Sequence, residues 1–380
     1  MDKYWKIIEN THSRVDTELQ DGLKVDRVIV QLLKQRNILN FEDAKTFFRP
    51  SLSQLHDPFL MKGMKIAVNR ISEAISKNEK VLVFGDYDVD GTTAVSLVFS
   101  FLKDHIQHID YYIPDRYKEG YGISYKGIDF ASENNFSLII ALDCGIKAND
   151  KIDYANERNI DFIICDHHLP GETLPSAVAI LDQKQADCPY PYKELSGAGI
   201  GFKLIQAFSI SKNLPSENCY AYLDLVATSI AADIVPITGE NRILAYYGLE
   251  KINMDPRAGI KALLNINQLK NPVTISTLVF TLGPRINAAG RIEHGSKSVE
   301  LLTCEDDALA IELALAINET NTQRRDLDLG ITTEAFEMLD NDPDIKIKNS
   351  TVLFNEKWHK GVIGIVASRL IERYYRPTIV

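Results

Sequence analysis

Between residues 80 and 181, short apolar runs alternate with stretches whose apolar residues fall at helical spacing. The runs at 81–85, 109–113, 137–142, 160–165 and 177–181 read as strands, and 92–104, 124–135 and 147–158 as helices. This alternation predicts an α/β fold built on a doubly wound, mostly parallel sheet. Two runs, SLIIALD ending at Asp143 and IDFIICD ending at Asp166, are apolar almost throughout, as strands covered on both faces must be.

Residues before 80 look mainly helical, with one helix starting at Phe41-Glu42-Asp43-Ala44 and helical apolar spacing from Ile66 to Ile75. Residues 196–270 also read as helices. A long polar helix, about 305–340, contains NETNTQRRDLDLG and few turn signals, which predicts a connector between two domains. After it, STVLFNEKW begins a strand, GVIGIVASRLIERYY reads as a helix, and Pro377-Thr378-Ile379-Val380 is strand-like. The expected division is a helical region at 1–75, an α/β core at 76–240, a helical extension at 241–304, a linker helix at 305–345, and the cut opening of a further α/β domain at 346–380.

A chain of 380 residues is long enough for two or three domains. With 52 acidic against 42 basic residues and a net charge of −10, nonspecific polyanion binding is excluded as its main business. A nucleic-acid partner would need local basic patches. No apolar stretch reaches the roughly 18–20 residues of a membrane span, and the N-terminus lacks a signal-peptide apolar region, so a cytoplasmic protein is expected. The five cysteines are scattered without a CxxC pair, which argues for buried free thiols over a disulfide framework or zinc site.

The chemistry concentrates where the first strand ends. In VLVFGDYDVDGTTA, residues 81–94, Val81 to Phe84 is the strand, Gly91-Thr92-Thr93 opens a helix, and Asp86, Asp88 and Asp90 lie between. One aspartate there would cap the helix. Three ionised carboxylates so close repel, and bound cations relieve the repulsion. Asp143 follows the third strand, Asp166-His167-His168 the fourth, and Asp233 ends a helical run in ATSIAADIVP. Taken singly, Asp143 before Cys144-Gly145 reads as a turn former and the His pair as a surface feature. In an open parallel sheet, however, ligands bind beyond the carboxyl ends of the strands, which brings these residues into one crevice. Carboxylates with an imidazole suit Mn²⁺ or Mg²⁺. Two such ions about 3.5–4 Å apart, bridged by one carboxylate, would activate water for an in-line phosphoryl displacement.

The order DxDG, D, DHH, D resembles the DHH phosphoesterase superfamily. Further segments are similar to its RecJ family of single-strand-specific 5′→3′ exonucleases: GDYDVDG, PDRYKEGYG (114–122), PYKELSGAGIGFKL (191–204), NR at 241–242, PRINAAGR (284–291) and WHKGVIGIVASRL (358–370). The resemblance runs from about residue 30 to 380. It implies that 76–240 is a DHH catalytic core and that 346–380 opens a DHHA1 domain, with a glycine-rich phosphate-contacting motif and a DNA-binding OB domain further on. It also implies that Asp88 and Asp90 each ligate one metal, that Asp143 bridges both, and that His167 and Asp233 complete the shells. Asp86 is then a ligand or an acceptor behind the ligands. His168 contacts the scissile phosphate or orients water, and Asp166 orients His167 through its second nitrogen.

The resemblance further implies a 5′-phosphate pocket at Arg116 and Arg291, with Arg285, Asn287 and Lys297 extending its wall; guanidinium forks suit phosphate oxygens. The ordinary alternative for Arg291 is a salt bridge to a carboxylate. Tyr117, Tyr121 and Phe202 are candidates to stack bases, with core packing the simpler role for Phe202. Lys357, His359, Lys360, Arg369, Arg373 and Arg376 face only Glu372 in sequence, either a solvated helix face or a clamp over single-stranded DNA. A narrow tunnel there would exclude duplex. The implied setting is DNA repair and recombination, with single-stranded DNA bearing a 5′-phosphate as substrate, a single-strand-binding protein and a recombination helicase as partners, and no membrane. Asp182-Gln183 departs from the Asn-Pro that the resemblance leads one to expect.

Three rival readings compete with this one. Asp88-Val89-Asp90-Gly91-Thr92 also matches the nucleophile loop of haloacid-dehalogenase phosphatases, but that chemistry needs a downstream lysine and acidic pair rather than a His-His pair. A DHH phosphodiesterase of oligoribonucleotides or cyclic dinucleotides lacks the PDRYKEGYG and PRINAAGR context. A catalytically silent DNA-binding scaffold would have lost ligands, and here every ligand position is filled.

Overall fold

The computed structural model describes residues 4, 6, 14–269, 272–345 and 347–380. Strands β1 (Lys80–Gly85), β2 (Ile109–Tyr112), β3 (Phe136–Leu142), β4 (Asp161–Cys165) and β5 (Ala179–Leu181) form one sheet in the order β2-β1-β3-β4-β5. Every pairing is parallel. The strand order reverses between β1 and β3, so the crevice at a topological switch point lies beyond the ends of those two strands. Register aligns the ends closely: Gly85 pairs with Leu142, Leu142 with Cys165, and Cys165 with Leu181. The next residues along the four strands are Asp86, Asp143, Asp166 and Asp182, and they form one acidic edge.

Successive side chains of a strand face opposite ways, which splits the apolar runs between two cores. Val81, Val83, Leu138, Ile140, Leu142, Ile163 and Cys165 enter the larger cluster. This cluster lies under α4 (Met64–Ser76), α5 (Val89–Leu102) and α8 (Gly197–Ser211). Leu82, Phe84, Ile139, Ala141, Phe162 and Ile164 meet α6 (Tyr125–Glu133) and α7 (Asn149–Asn156) on the other face. The expected doubly wound sheet is thus present.

Ahead of the sheet, α1 (Arg14–Leu23), α2 (Arg27–Lys34) and α3 (Phe41–Phe48) enclose a small core of their own. After α8 come α9 (Glu217–Tyr220), α10 (Leu223–Ala232), α11 (Gly239–Met254), α12 (Ala258–Ile266) and the short turn α13 (Ile275–Thr277). A π-helical stretch, Leu278–Leu282, leads into α14 (Gly283–Ile292), followed by α15 (Ser296–Thr303). The 34-residue helix α16 (Asp307–Asp340) places Ala310, Ala314 and Ile317 in the large core. Its far half puts Ile331, Ala335 and Leu339 against Trp358 and α17 (Ile363–Arg373) in a separate cluster. Two-residue strands β6 (Thr351–Val352) and β7 (Thr378–Ile379) pair in parallel beside it.

Four cysteines are buried and Cys304 is partly so, all as free thiols. Phe202 is fully buried in the large core, which makes it a packing residue and removes it from the base-stacking candidates. Among the described residues, no helix is long and apolar enough to cross a membrane.

Candidate metal centre

Helix α5 begins two residues earlier than the glycine-threonine signal suggested. Asp88 is its N-cap, its carboxylate accepting a hydrogen bond from Gly91 N–H at 3.0 Å, so Asp90 lies inside the first helical turn. That turn aims Asp90 across the crevice at the N-terminus of α8. Gly197 N–H and Ala198 N–H donate to its two oxygens at 2.7 and 2.8 Å, and Ser229 Oγ donates at 2.7 Å. Sequence reasoning missed this cradle. Its signals were Ser196, which caps α8 by accepting from Gly199 N–H, and Ser229, one helical turn before Asp233. Gly197 is obligatory: a Cβ there would lie 2.6 Å from Asp143 Cβ.

Asp143 sits at the end of β3 with φ 58°, a left-handed conformation that aspartate tolerates better than most residues. His167, at the end of β4, directs Nε2 at three carboxylates: Asp143 at 3.1 Å, Asp90 at 3.7 Å and Asp233 at 3.7 Å. Two triads with ligand atoms mutually within 4.8 Å share this imidazole, Asp90–His167–Asp233 and Asp143–His167–His168. Asp233 reaches the group as the C-cap of α10. Asp86 is fully buried, accepting from Gly122 N–H at 3.3 Å through one oxygen.

One expectation is corrected. Asp166 does not orient His167. Its Oδ1 bonds His168 Nδ1 at 2.7 Å and accepts from the backbone N–H of His167 and His168, while Oδ2 accepts from Ile146 N–H. The chain turns immediately after Asp166, which brings the ring two residues on over its carboxylate. His168 Nε2 is thereby left facing Tyr121 Oη at 3.4 Å.

The electrostatics describe a hole for positive charge. Burial, with Asp90 and Asp88 adding repulsion, pushes Asp143 well above the ordinary carboxylate range. Burial and Asp88 push Asp86 up to about 7, and burial with Asp90 and Asp88 does the same to Asp233. Burial lowers His167, which favours the neutral, ligating imidazole. Burial would raise Asp166, but the hydrogen bond and charge of His168, joined by the backbone N–H donors of Ile146 and His168, together outweigh it and hold the carboxylate below the ordinary range. That bond in turn raises His168. Asp86 Oδ2 and Asp143 Oδ1 are buried without a hydrogen-bond partner. Unpartnered, mutually repelling oxygens around a neutral imidazole are a donor set that hard divalent cations fit.

A wall of rings leads away from this centre. Tyr121 packs edge-on against His168 and Tyr87, and the Arg116 guanidinium lies over Tyr87 at 4.9 Å. The loop carrying Arg116 is braced by its own acids. Asp115 accepts from Tyr117 and Lys118 N–H, and Glu119 ties Asp115 N–H, Tyr112 Oη and Ser124 Oγ. Tyr117 Oη donates to the Arg291 carbonyl and packs against His359, so its ring is spoken for structurally. Gly290 lets α14 close on this wall, since a Cβ there would meet Tyr87 O at 2.3 Å. Arg291 donates to Gly361 O at 3.2 Å; neither it nor Arg116 forms an ion pair among the described residues. The salt-bridge alternative for Arg291 therefore falls.

Other predicted wall residues point elsewhere. Arg285 turns to α16, donating to Asn318 Oδ1 and Thr281 O, and Lys297 pairs with Glu293. Asn287 keeps a buried, unpartnered Oδ1 on α14. The basic strip is largely consumed internally: Arg369 pairs with Asp328, Arg373 with Asp340, and Arg376 caps Ile345 and Lys348 carbonyls. Lys357, His359, Lys360 and Arg376 of that strip remain without an ion pair among the described residues, and of these Arg376 is held by neutral acceptors.

A switch-point crevice lined by carboxylates and one neutral imidazole defines a class: an open α/β protein with a candidate centre for divalent cations. Comparison narrows it. The description "DHH family, N-terminal domain" matches residues 80–230. The chain is 40% identical over 99% of its length to the single-stranded-DNA-specific exonuclease RecJ of Bacillus subtilis, and 36% identical over 96% to that of Dickeya dadantii. It spans 47% and 65% of those proteins. A crystal structure of exonuclease RecJ bound to manganese superposes with TM-score 0.76 and 30% identity, covering 86% of this chain and 81% of that one. The crystal structure of Thermus thermophilus RecJ in complex with Mn²⁺ gives TM-score 0.81 at 28% identity, over 96% of this chain and 51% of that one. The chain belongs to the DHH family and, within it, to the RecJ family.

Proposed function

We propose that this chain carries the catalytic core of a metal-dependent 5′→3′ exonuclease that degrades single-stranded DNA in repair and recombination. The observation that carries the reading is the convergence of Asp90, Asp143 and Asp233 on His167 Nε2, beside arginines that no carboxylate neutralises. Mn²⁺ or Mg²⁺ is the fitting cofactor; when bound, two such cations supply Lewis acidity and charge neutralisation for phosphodiester hydrolysis. Asp90, Asp143, His167 and Asp233 would hold them, with Asp88 adding the oxygen its helix cap leaves free and Asp86 standing at the rim. The α8 cradle would keep Asp90 fixed whether or not a cation is bound. His168, held by Asp166 and raised towards its protonated form, is suited to contact the scissile phosphate or pass a proton to the departing oxygen. Arg116 and Arg291 would receive the 5′-phosphate.

In this reading 76–240 is the catalytic core, 241–304 its phosphate-facing extension, 305–345 the linker, and 346–380 the beginning of a DHHA1 domain. The free thiols fit a reducing cytoplasm. A single-strand-binding protein and a recombination helicase complete the proposed setting. The test uses the full-length protein, labelled single- and double-stranded DNA, short RNA, and Mn²⁺ or Mg²⁺. Asp143→Ala is expected to remain folded and lose degradation of 5′-phosphorylated single strands. Wild-type activity in that variant would sink the cation-centre assignment, and digestion from the 3′ end would sink the polarity.

A further inference from the structure

Arg158, Arg242, Arg257, Arg373 and Arg376 lie over aromatic rings, and each also bonds a carbonyl or a carboxylate. Arg116 differs. Its guanidinium stands 4.9 Å from the centre of the Tyr87 ring, and it makes neither an ion pair nor a side-chain hydrogen bond among the described residues. A guanidinium resting on a ring by one face keeps its N–H groups free at its edge, where an anion can take them. Tyr87 also seats the second arginine. Helix α14, which carries Arg291, closes on its backbone: a Cβ at Gly290 would lie 2.3 Å from Tyr87 O, and one at Gly295, in the turn after α14, 3.1 Å from Tyr87 Cβ. Burial and the charge of Asp86 raise the Tyr87 hydroxyl, while Arg116 and Arg291 both act against them, as two nearby cations must. Tyr121 packs edge-on against the same ring at 6.2 Å. Burial alone would be satisfied by a leucine of similar bulk, but leucine offers no π face to a cation.

The place of Tyr87 in the chain gives this seat its consequence. It stands between Asp86 and Asp88, in the turn joining β1 to α5, so the backbone that presents carboxylates to the cation centre also carries the support of both arginines. We propose that Tyr87 is the positioning residue of the 5′-phosphate site, its ring holding Arg116 and its backbone seating the stretch of α14 that bears Arg291. The anchor for the phosphate is thereby fixed relative to the cations. The inference rests on the exonuclease reading and adds to it a residue that acts only through its neighbours. The contacts are made by the ring and the backbone, so the hydroxyl has no part in them. Selectivity for a phosphorylated end then depends on the ring at this position, and cation binding does not.

The test uses full-length protein with Mn²⁺ and compares kcat/KM for a thymidine 12-mer carrying a 5′-phosphate with that for the same strand carrying a 5′-hydroxyl. Tyr87→Leu removes the π face and is expected to cut the preference for the phosphorylated end about 2- to 30-fold, the range of a ring–guanidinium contact. The loss should appear in KM for the phosphorylated strand, with Mn²⁺ affinity by calorimetry holding within about twofold. Tyr87→Phe keeps the ring and should restore the preference. If Tyr87→Leu unfolds, a trifluorinated phenylalanine at position 87 keeps the shape, withdraws charge from the ring face, and should lower the preference below that of Tyr87→Phe. A wild-type preference in Tyr87→Leu or in the fluorinated protein overturns the positioning role alone. So does a loss equal for both ends with weakened Mn²⁺ binding, which is the signature of a packing residue. A wild type that degrades both ends alike overturns the phosphate role of Arg116 and Arg291, and the inference with it. A wild type that degrades neither overturns the exonuclease reading as well.

Discussion

Asp182→Asn tests the acidic edge of the sheet quantitatively. Asp182 follows β5, is fully buried, accepts from Lys184 N–H at 2.6 Å through one oxygen, and leaves Oδ2 without a partner. Burial, with the nearby charge of Asp166, pushes its carboxyl from 3.8 up to about 7. A folded-state value above the unfolded one contributes stability that is fully present below the unfolded value and is lost as pH rises through the folded one. At 1.36 kcal/mol per pH unit, the total loss between those limits is about 4 kcal/mol, of which about 3 falls between pH 5 and pH 8. The amide cannot ionise, and its oxygen can keep the bond from Lys184. Asp182→Asn should therefore be more stable than the wild type, by about 3 kcal/mol more at pH 8 than at pH 5. Urea unfolding of metal-stripped protein at the two pH values measures this difference, with hydrogen exchange at β5 as a local check. An equal difference at both pH values would refute the reasoning, because Asp182 would then ionise in the fold as freely as outside it.

Three further outcomes are expected. Ser229→Ala removes one of three donors to Asp90 and should weaken Mn²⁺ binding about 10-fold or more by calorimetry; unaltered affinity would mean the cradle does not position the carboxylate. Asp166→Asn loosens His168 and should lower kcat about 10–100-fold in steady-state kinetics on single strands, and an undiminished kcat removes His168 from the chemistry. Lys203 and Glu240 form a fully buried pair at 2.7 Å that also binds the His56 backbone and Tyr190, tying the segment ahead of α4 to α8. Lys203→Met should cost about 3–5 kcal/mol in urea unfolding, with Lys203→Met/Glu240→Gln recovering much of it, since the single change strands a buried charge.

The legible parts of the site were those set by chain order. Asp86, Asp143 and Asp166 could be placed together because each follows an apolar run, and parallel pairing brings the ends of such runs to one edge. Their partners were less legible. Which imidazole Asp166 holds depends on the turn after β4, and a shift of one residue along the chain exchanges one ring for the other. The cradle around Asp90 joins residues 107 to 139 positions apart, and its donors are mostly backbone N–H groups, which carry no residue signature.

Alternating apolar runs and helical spacing determined the doubly wound sheet, the long α16 and the acidic edge, because burial energy follows local pattern and strand ends follow from strand positions. Only the tertiary structure decided how the arginines are used. Arg369 and Arg373 were expected to face solvent or DNA, yet helix packing sets them against Asp328 and Asp340, 41 and 33 residues away. Arg324, unremarked in a polar helix, stands 3.9 Å from Asp328, a carboxylate that Arg369 holds more closely at 2.7 Å, and Arg325 beside it is exposed with no ion pair among the described residues. A guanidinium on a long flexible stem has no direction until its neighbours fix one, so sequence supplies the charge and packing decides where it acts.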